Sequence, residues 1–134
     1  MTKYVFDSYA LLAFFGNEKG ASQVAKALTQ ISMGEAEGFL SVINLGEVYY
    51  MSVRKRGEAK ARFALQHVQQ FPIEIVTVTA EEALEAAAIK AHYKISYADA
   101  FALALSIKHK ATLITGDPEF KVFKNKIKIQ FINK

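Results

Sequence analysis

The sequence predicts an α/β protein built on a parallel sheet with helices over both faces. Three observations carry that expectation. Short apolar segments alternate with longer segments of helical periodicity along the chain. Each apolar segment is nearly continuous rather than alternating, the pattern of strands buried on both sides. The 134 residues contain no internal repeat, linker or low-complexity stretch. That length suits one domain, 1–134, which buries roughly two-thirds of its unfolded surface.

The elements follow in order. Lys3-Tyr4-Val5-Phe6 reads as the first strand and runs straight into Asp7-Ser8 and an apolar helix from Tyr9 to Phe15. After the break at Gly16–Gly20, a helix over 21–33 places Val24, Ala27, Leu28 and Ile31 at helical spacing. Gly34 then stands where a helix end favours Gly. Residues 38–42 form a second buried strand, followed by a helix from Ile43 to Arg56 closed by Gly57 and another from Glu58 to Gln70. Pro72 stops that helix, and the β-branched run 73–78 is a third strand. Thr79-Ala80-Glu81-Glu82 is a capping box opening a helix to Tyr93. Ser96 starts a helix through Lys108, residues 112–115 form a strand that ends in the turn Gly116-Asp117-Pro118, and 127–131 supply the last strand.

Composition excludes several classes of function. Apolar residues at 51% and charged residues at 22% describe an ordinary globular chain. With no Cys, a disulfide framework, a zinc–thiolate site and a cysteine nucleophile are all excluded. The longest apolar run, Tyr9 to Phe15, falls far short of the ~20 residues a membrane span needs. Its flanks, Asp7 and Gly16-Asn17-Glu18-Lys19, are not those of a signal peptide. A soluble, cytoplasmic protein is expected, with no membrane partner. Seventeen basic against 13 acidic residues give +4, which permits a polyanionic partner without demanding one.

The acids are unevenly divided: ten are Glu and only three are Asp, namely Asp7, Asp99 and Asp117. Asp7 directly follows the first strand, Asp117 follows the strand 112–115, and Asp99 lies in the first turn of the helix leading into that strand. Ligands of open parallel sheets bind outside the carboxyl ends of the strands. Each Asp also has a structural explanation: a helix N-cap at Asp7, a capping box from Ser96 to Asp99, a turn before Pro118. Glu47 adds a fourth acid, on a helix face shared with Ile43, Tyr50 and Met51. A carboxylate there is costly without a cation partner, and Arg54 is one candidate. Four carboxylates converging on one point repel one another strongly. A divalent cation with oxygen ligands, Mg2+ or Mn2+, makes such a cluster tolerable.

Four segments then match a known family in order and separation: Val5-Phe6-Asp7-Ser8, Ser41 through Val48, Ile95 through Ala100, and Leu113 through Phe120. Over essentially the whole chain the sequence resembles the PIN domain, and more narrowly the small PIN ribonucleases that act as VapC-type toxins. The resemblance implies a three-layer α/β/α domain with a five-stranded, mostly parallel sheet. It implies metal-dependent cleavage of RNA phosphodiesters at a site where Asp7, Glu47, Asp99 and Asp117 correspond to the family's acids. Asp7 and Asp99 would hold Mg2+ or Mn2+, with Glu47 and Asp117 engaged directly or through water. Ser8, Asn44 and Thr115 match polar positions beside them. After Thr115 two acids compete, and Asp117 is preferred over Glu119 as the one facing the metal. The implied partners are the RNA substrate, a cognate antitoxin protein and a second copy of the chain.

No Ser–His–Asp or Cys–His arrangement competes. His67, His92 and His109 lie outside these segments, and helix-end or surface placement is expected for them. For RNA, Arg54-Lys55-Arg56 with Lys60 and Arg62, and Lys108-His109-Lys110, are candidate contacts; solvated helix ends explain them equally. Tyr49, Tyr50 and Phe63 are candidates for a homodimer contact, with core packing the better account of Phe63. The rival functions are a housekeeping RNA-processing PIN nuclease and a non-catalytic, binding PIN domain. A phospho-acceptor receiver is disfavoured because residues 73–79 supply no Asp, and a haloacid-type phosphatase because Tyr9 stands where its second Asp belongs.

Overall fold

The computed structural model describes residues 1–132, so the last two positions of the expected domain lie outside the described residues. Its elements are β1 (Thr2–Phe6), α1 (Ser8–Phe15), α2 (Ala21–Ser32), β2 (Ala36–Ser41), α3 (Val42–Arg56), α4 (Glu58–Gln70) and β3 (Glu74–Val76). They continue with α5 (Ala80–His92), α6 (Tyr97–His109), β4 (Thr112–Thr115), a short 3-10 helix (Pro118–Phe123) and β5 (Ile129–Phe131). The five strands form one sheet in the order β3-β2-β1-β4-β5, and every pairing is parallel. The expected sheet is therefore present, and parallel throughout rather than mostly so.

Successive strand residues turn to opposite faces, and both faces are buried. Phe6, Leu40 and Ile114 lie with Leu11, Val24, Ile31, Val48 and Val68 beneath α1–α4. Val5, Phe39 and Leu113 lie with Ala86, Phe101, Leu103, Phe120 and Phe123 beneath α5, α6 and the 3-10 helix. The near-continuous apolar strands of the sequence are the direct cause: one residue serves each core.

Element ends depart from the sequence reading for local reasons. The strand expected at 38–42 runs Ala36–Ser41, because Ser41 leaves it to cap α3, its Oγ accepting the Ile43 N–H at 3.2 Å. The strand expected at 73–78 contracts to Glu74–Val76; Thr77 and Val78 lead into the Thr79 capping box, whose two reciprocal bonds are both formed. Gly57 closes α3 at φ +89°, a conformation that favours Gly. Where the sequence signals a turn at Gly116-Asp117-Pro118, the chain continues into a 3-10 helix, with Asp117 as its N-cap and Pro118 at its first position.

Strand order reverses direction between β1 and β4, the two strands that started first and fourth. Adjacent strands there send their connections to opposite sides and leave a crevice beyond their carboxyl ends. Asp7 and Asp117 follow these two strands. No helix among the described residues is long and apolar enough to cross a membrane.

Leu40 is fully buried at the centre of one core layer. Leu40→Ala is expected to cost about 2–5 kcal/mol, read as a lower urea midpoint with an unchanged denaturant slope.

Candidate active site

Asp7 is built in from three directions. Its backbone N–H bonds to the Ile114 carbonyl at 3.3 Å, carrying the β1–β4 pairing one residue past the strand. Its Oδ1 accepts the Ala10 N–H at 2.8 Å as the N-cap of α1. Its Oδ2 accepts a short hydrogen bond from the Thr115 hydroxyl. That hydroxyl in turn accepts the Asp117 N–H at 3.0 Å, and Asp117 Oδ1 accepts the Glu119 N–H at 2.9 Å. Asp7 and Thr115 are wholly buried.

Asp99 approaches from α6. Ser96 caps that helix by accepting the Asp99 N–H at 3.1 Å. The expected capping box is only half formed: no bond from the Asp99 carboxyl to the Ser96 backbone closes it, and that carboxyl bonds with the Ser96 side chain and with Asp117. Asn44, wholly buried on the first turn of α3, ties the remaining segments together. Its Nδ2 donates to Ser8 Oγ and to the Ala98 carbonyl, both at 3.2 Å, while Ser8 Oγ donates to the Asn44 carbonyl at 3.4 Å. Asn44 Oδ1 is buried without a hydrogen-bond donor, a cost of roughly 1–3 kcal/mol unless water or a ligand supplies one.

Glu47 stands at the edge. Its charge reaches Asp99, and its Oε2 accepts the Tyr50 hydroxyl at 3.3 Å. It forms no ion pair with Arg54, whose guanidinium lies 5.0 Å from the Tyr50 ring centre instead. The apolar face around Glu47 is not core either: Ile43, Tyr50 and Met51 are all exposed, so this carboxylate keeps enough water to dispense with a buried cation. Phe63, expected in the core, is 62% exposed with its ring against His67 at 4.4 Å. The crowded α3–α4 contact is made by smaller Ala61, Ala64 and Val68.

The electrostatic cost of this convergence is visible in two carboxyls. Burial pushes Asp7 up to about 8, against the lowering effect of Thr115 and Ala10 and with further upward pressure from Asp99 and Asp117. Burial, then the Asp117 charge and the hydrogen bond with it, pushes Asp99 up to about 7, with Glu47 adding to the effect. One carboxyl oxygen from each of Asp99, Asp117 and Glu119 lies within 4.8 Å of the others. Ligands opposite one another on Mg2+ stand about 4.2 Å apart, so small side-chain rotations bring the three into range. An all-carboxylate donor set without His or Cys suits a hard divalent cation. Asp117 and Glu119 thus both face the site, and the second of these was the less expected. Its place two residues past Asp117, within the first turn of the 3-10 helix, brings it there.

Most of the candidate RNA-contacting cations are tied locally. Arg56 Nη1 donates to the Phe15 carbonyl at 2.8 Å, capping α1, while Lys55–Glu18, Arg62–Glu58 and Lys108–Glu82 form ion pairs at 3.5, 3.7 and 3.0 Å. The histidines sit in the last turns of α4, α5 and α6, as expected.

A family model described as the PIN domain matches residues 4–126. Among curated proteins there is no significant match. Among solved structures, a toxin–antitoxin complex from Klebsiella pneumoniae is similar at 24% identity and TM-score 0.67, with 95% of each chain covered. VapBC2 from Rickettsia felis, bound to a promoter DNA fragment, aligns at 16% identity and TM-score 0.76 over 97% of this chain and 98% of that one. The Mycobacterium tuberculosis toxin VapC20, which cleaves the sarcin–ricin loop, aligns at 15% identity and TM-score 0.73 over 94% and 96%. At these identities the solved structures share the fold.

Asp7 and Asp99 hold protons in the folded, metal-free protein that the unfolded chain has released above about pH 4. Their raised values therefore favour folding below about pH 4, and that contribution is lost as pH climbs through about 7 and 8. Thermal melts in EDTA should fall between pH 5 and pH 8.5, and Asp7→Asn, which cannot ionise, should flatten that fall.

Proposed function

The chain belongs to the PIN-domain family, and from that premise we propose that it is a Mg2+- or Mn2+-dependent endoribonuclease, the toxin of a toxin–antitoxin pair. The observation that carries this reading is the meeting of Asp7, Asp99 and Asp117 at the carboxyl ends of β1 and β4, beside Thr115, Asn44 and Glu47. In this reading the domain spans 1–134 and works in the cytoplasm. The similarity to structures of toxin–antitoxin complexes supports a cognate antitoxin as partner, and the exposed Tyr50 and Phe63, with Tyr49 beside them, suit a homodimer contact.

Each residue has a role that follows from its surroundings. Asp99, Asp117 and Glu119 offer the open oxygens; Asp7 joins them once a cation outweighs the burial that now keeps it protonated. Bound there, Mg2+ or Mn2+ supplies Lewis-acid stabilisation of the charge that develops on the phosphodiester and activates water. Thr115 holds Asp7 Oδ2 and the Asp117 N–H, fixing two acids through one hydroxyl. Asn44 and Ser8 hold α1, α3 and the start of α6 at constant separation. Glu47, half-exposed at the edge of the site, stands in contact with both Asp99's field and solvent.

Three measurements bear on this. At roughly 100 times its Kd, Mn2+ binding to the native state alone should add about 2.7 kcal/mol of stability; melts unmoved by millimolar Mn2+ in metal-free protein would count against the site. Asp7→Asn keeps the oxygen that caps α1, so it should fold as well as the parent, lose most of the Mn2+ effect and cleave RNA orders of magnitude more slowly in end-mapped digests of total RNA. Near-parental cleavage by that variant would leave Asp7 a cap and nothing more. Glu47→Gln breaks no ion pair, so its folding should be unchanged while cleavage drops and, for a toxin, growth inhibition disappears.

A further inference from the structure

Three half-exposed tyrosines stand next to the acids along the chain: Tyr9, Tyr50 and Tyr97, at 43%, 45% and 44% exposure. Two are already engaged. Tyr50 donates its hydroxyl to Glu47 and carries Arg54 over its ring. Tyr97 donates to the Ala83 carbonyl at 3.3 Å and sets its ring against Phe101 at 4.8 Å. Tyr9 has no hydrogen bond or ring partner among the described residues, yet its ring is held from one side. It lies against Gly116, where an added Cβ would collide with ring carbons Cδ1 and Cε1. Gly116 is the single residue between Thr115 and Asp117, so its missing side chain makes room for an aromatic ring on the very turn that carries the site.

Resting on the nuclease reading above, we propose that Tyr9 is the platform on which the nucleobase flanking the scissile phosphate stacks, so that the substrate enters as an unpaired strand. The acids explain why the contact is uncharged. A lysine or arginine at this lip would pair with Asp117 or Asp99 and compete with the cation, whereas a neutral ring adds affinity for RNA without touching the charge balance. Lys55, Arg62, Lys108 and Arg56 are engaged with Glu18, Glu58, Glu82 and the Phe15 carbonyl, and Arg54 lies over the Tyr50 ring. A base inside a duplex has both faces covered by its neighbours and cannot take this place; every unpaired base has a free face, so the contact selects strandedness more than sequence.

The test is a set of single-stranded RNA oligonucleotides carrying 2-aminopurine at successive positions, bound to the protein in EDTA. The chain has no Trp to obscure the signal. Stacking quenches 2-aminopurine at the position beside the cleavage site, Tyr9→Phe keeps the quench, and Tyr9→Leu, which still covers Gly116, loses it. In cleavage with Mn2+, Tyr9→Leu should raise KM by roughly 5- to 150-fold with kcat little changed, and an abasic nucleotide at the quenched position should reproduce that loss in the parent but add nothing in Tyr9→Leu. The Mn2+-induced rise in melting temperature should match the parent's, separating lost stacking from a disturbed metal site. RNA that is bound and cut with no position quenched, or a quench that survives in Tyr9→Leu, overturns the proposal while leaving the nuclease intact. A position scan on the parent that shows no quench overturns the proposal even if Tyr9→Leu fails to fold. A protein that neither binds nor cuts any RNA removes the nuclease reading and this inference with it.

Discussion

The bond between Asp7 and Thr115 joins the fold to its site. Both side chains are wholly buried, and they close the carboxyl ends of the two strands at which the sheet changes direction. Every neighbouring element is hung from this contact. Through its other oxygen Asp7 starts α1; through its hydroxyl Thr115 receives the Asp117 N–H and so positions the 3-10 helix; Asp117 then meets Asp99 on α6. The sheet's parallel register puts the strand ends side by side, and hydrogen bonding at the ends turns that register into a cluster of acids.

The cluster opposes folding as much as it depends on it. A buried carboxyl without a cation forgoes its hydration, and Asp7 keeps its proton up to about pH 8 as a result. The two apolar layers supply the stability against which that cost is set. Leu40, Leu113, Ile114, Phe120 and Phe123 are almost completely enclosed, and fully burying such a side chain is worth roughly 1.5–3 kcal/mol. Stability held in the layers and strain held at the strand ends is the usual division in a protein whose site must be costly when empty.

Much of this could be read from the chain, because the signals were periodic or local. Val5-Phe6, Phe39-Leu40 and Leu113-Ile114 announce strands buried on both sides; Thr79-Ala80-Glu81-Glu82 announces the start of α5. What could not be read depends on distance across the fold. The pairing of Ser96 and Asp99 has the spacing of a capping box, yet Asp117, 18 residues on in the chain, shares the Asp99 carboxyl with the Ser96 side chain. Glu47 and Arg54 are two helical turns apart, and nothing local says that Tyr50 will stand between them and accept the guanidinium. Phe63 is apolar at helical spacing, but the helix it lies on meets α3 through smaller side chains. Asn44 showed only as a polar residue one turn before Glu47; that it binds Ser8 and Ala98 together requires α1, α3 and α6 to be in place. The convergence of the three aspartates was legible because two of them follow strand carboxyl ends, and in the fold Asp7 and Asp117 serve as caps while standing close to one another and to Asp99.

That double service assigns unequal parts to the acids. Both oxygens of Asp7 are committed, one to the Ala10 N–H and one to the Thr115 hydroxyl, so a cation reaches it only by sharing an oxygen already in use. Asp99 is tied to its own helix through Ser96, and its carboxyl also reaches across to Asp117. It is 9% exposed, shares a hydrogen bond with Asp117, and lies close enough to Asp7 and Glu47 for each pair to feel the other's charge. Among the described residues it is the acid that every other acid of the site engages. Asp7 is thus the fixed wall of the pocket and Asp99 its centre, with carboxyl oxygens of Asp117 and Glu119 drawn within 4.8 Å of one another and of Asp99. A site assembled in this way responds to charge first and to shape second: an amide in place of either aspartate preserves the hydrogen-bond geometry but removes the anion that a divalent cation requires.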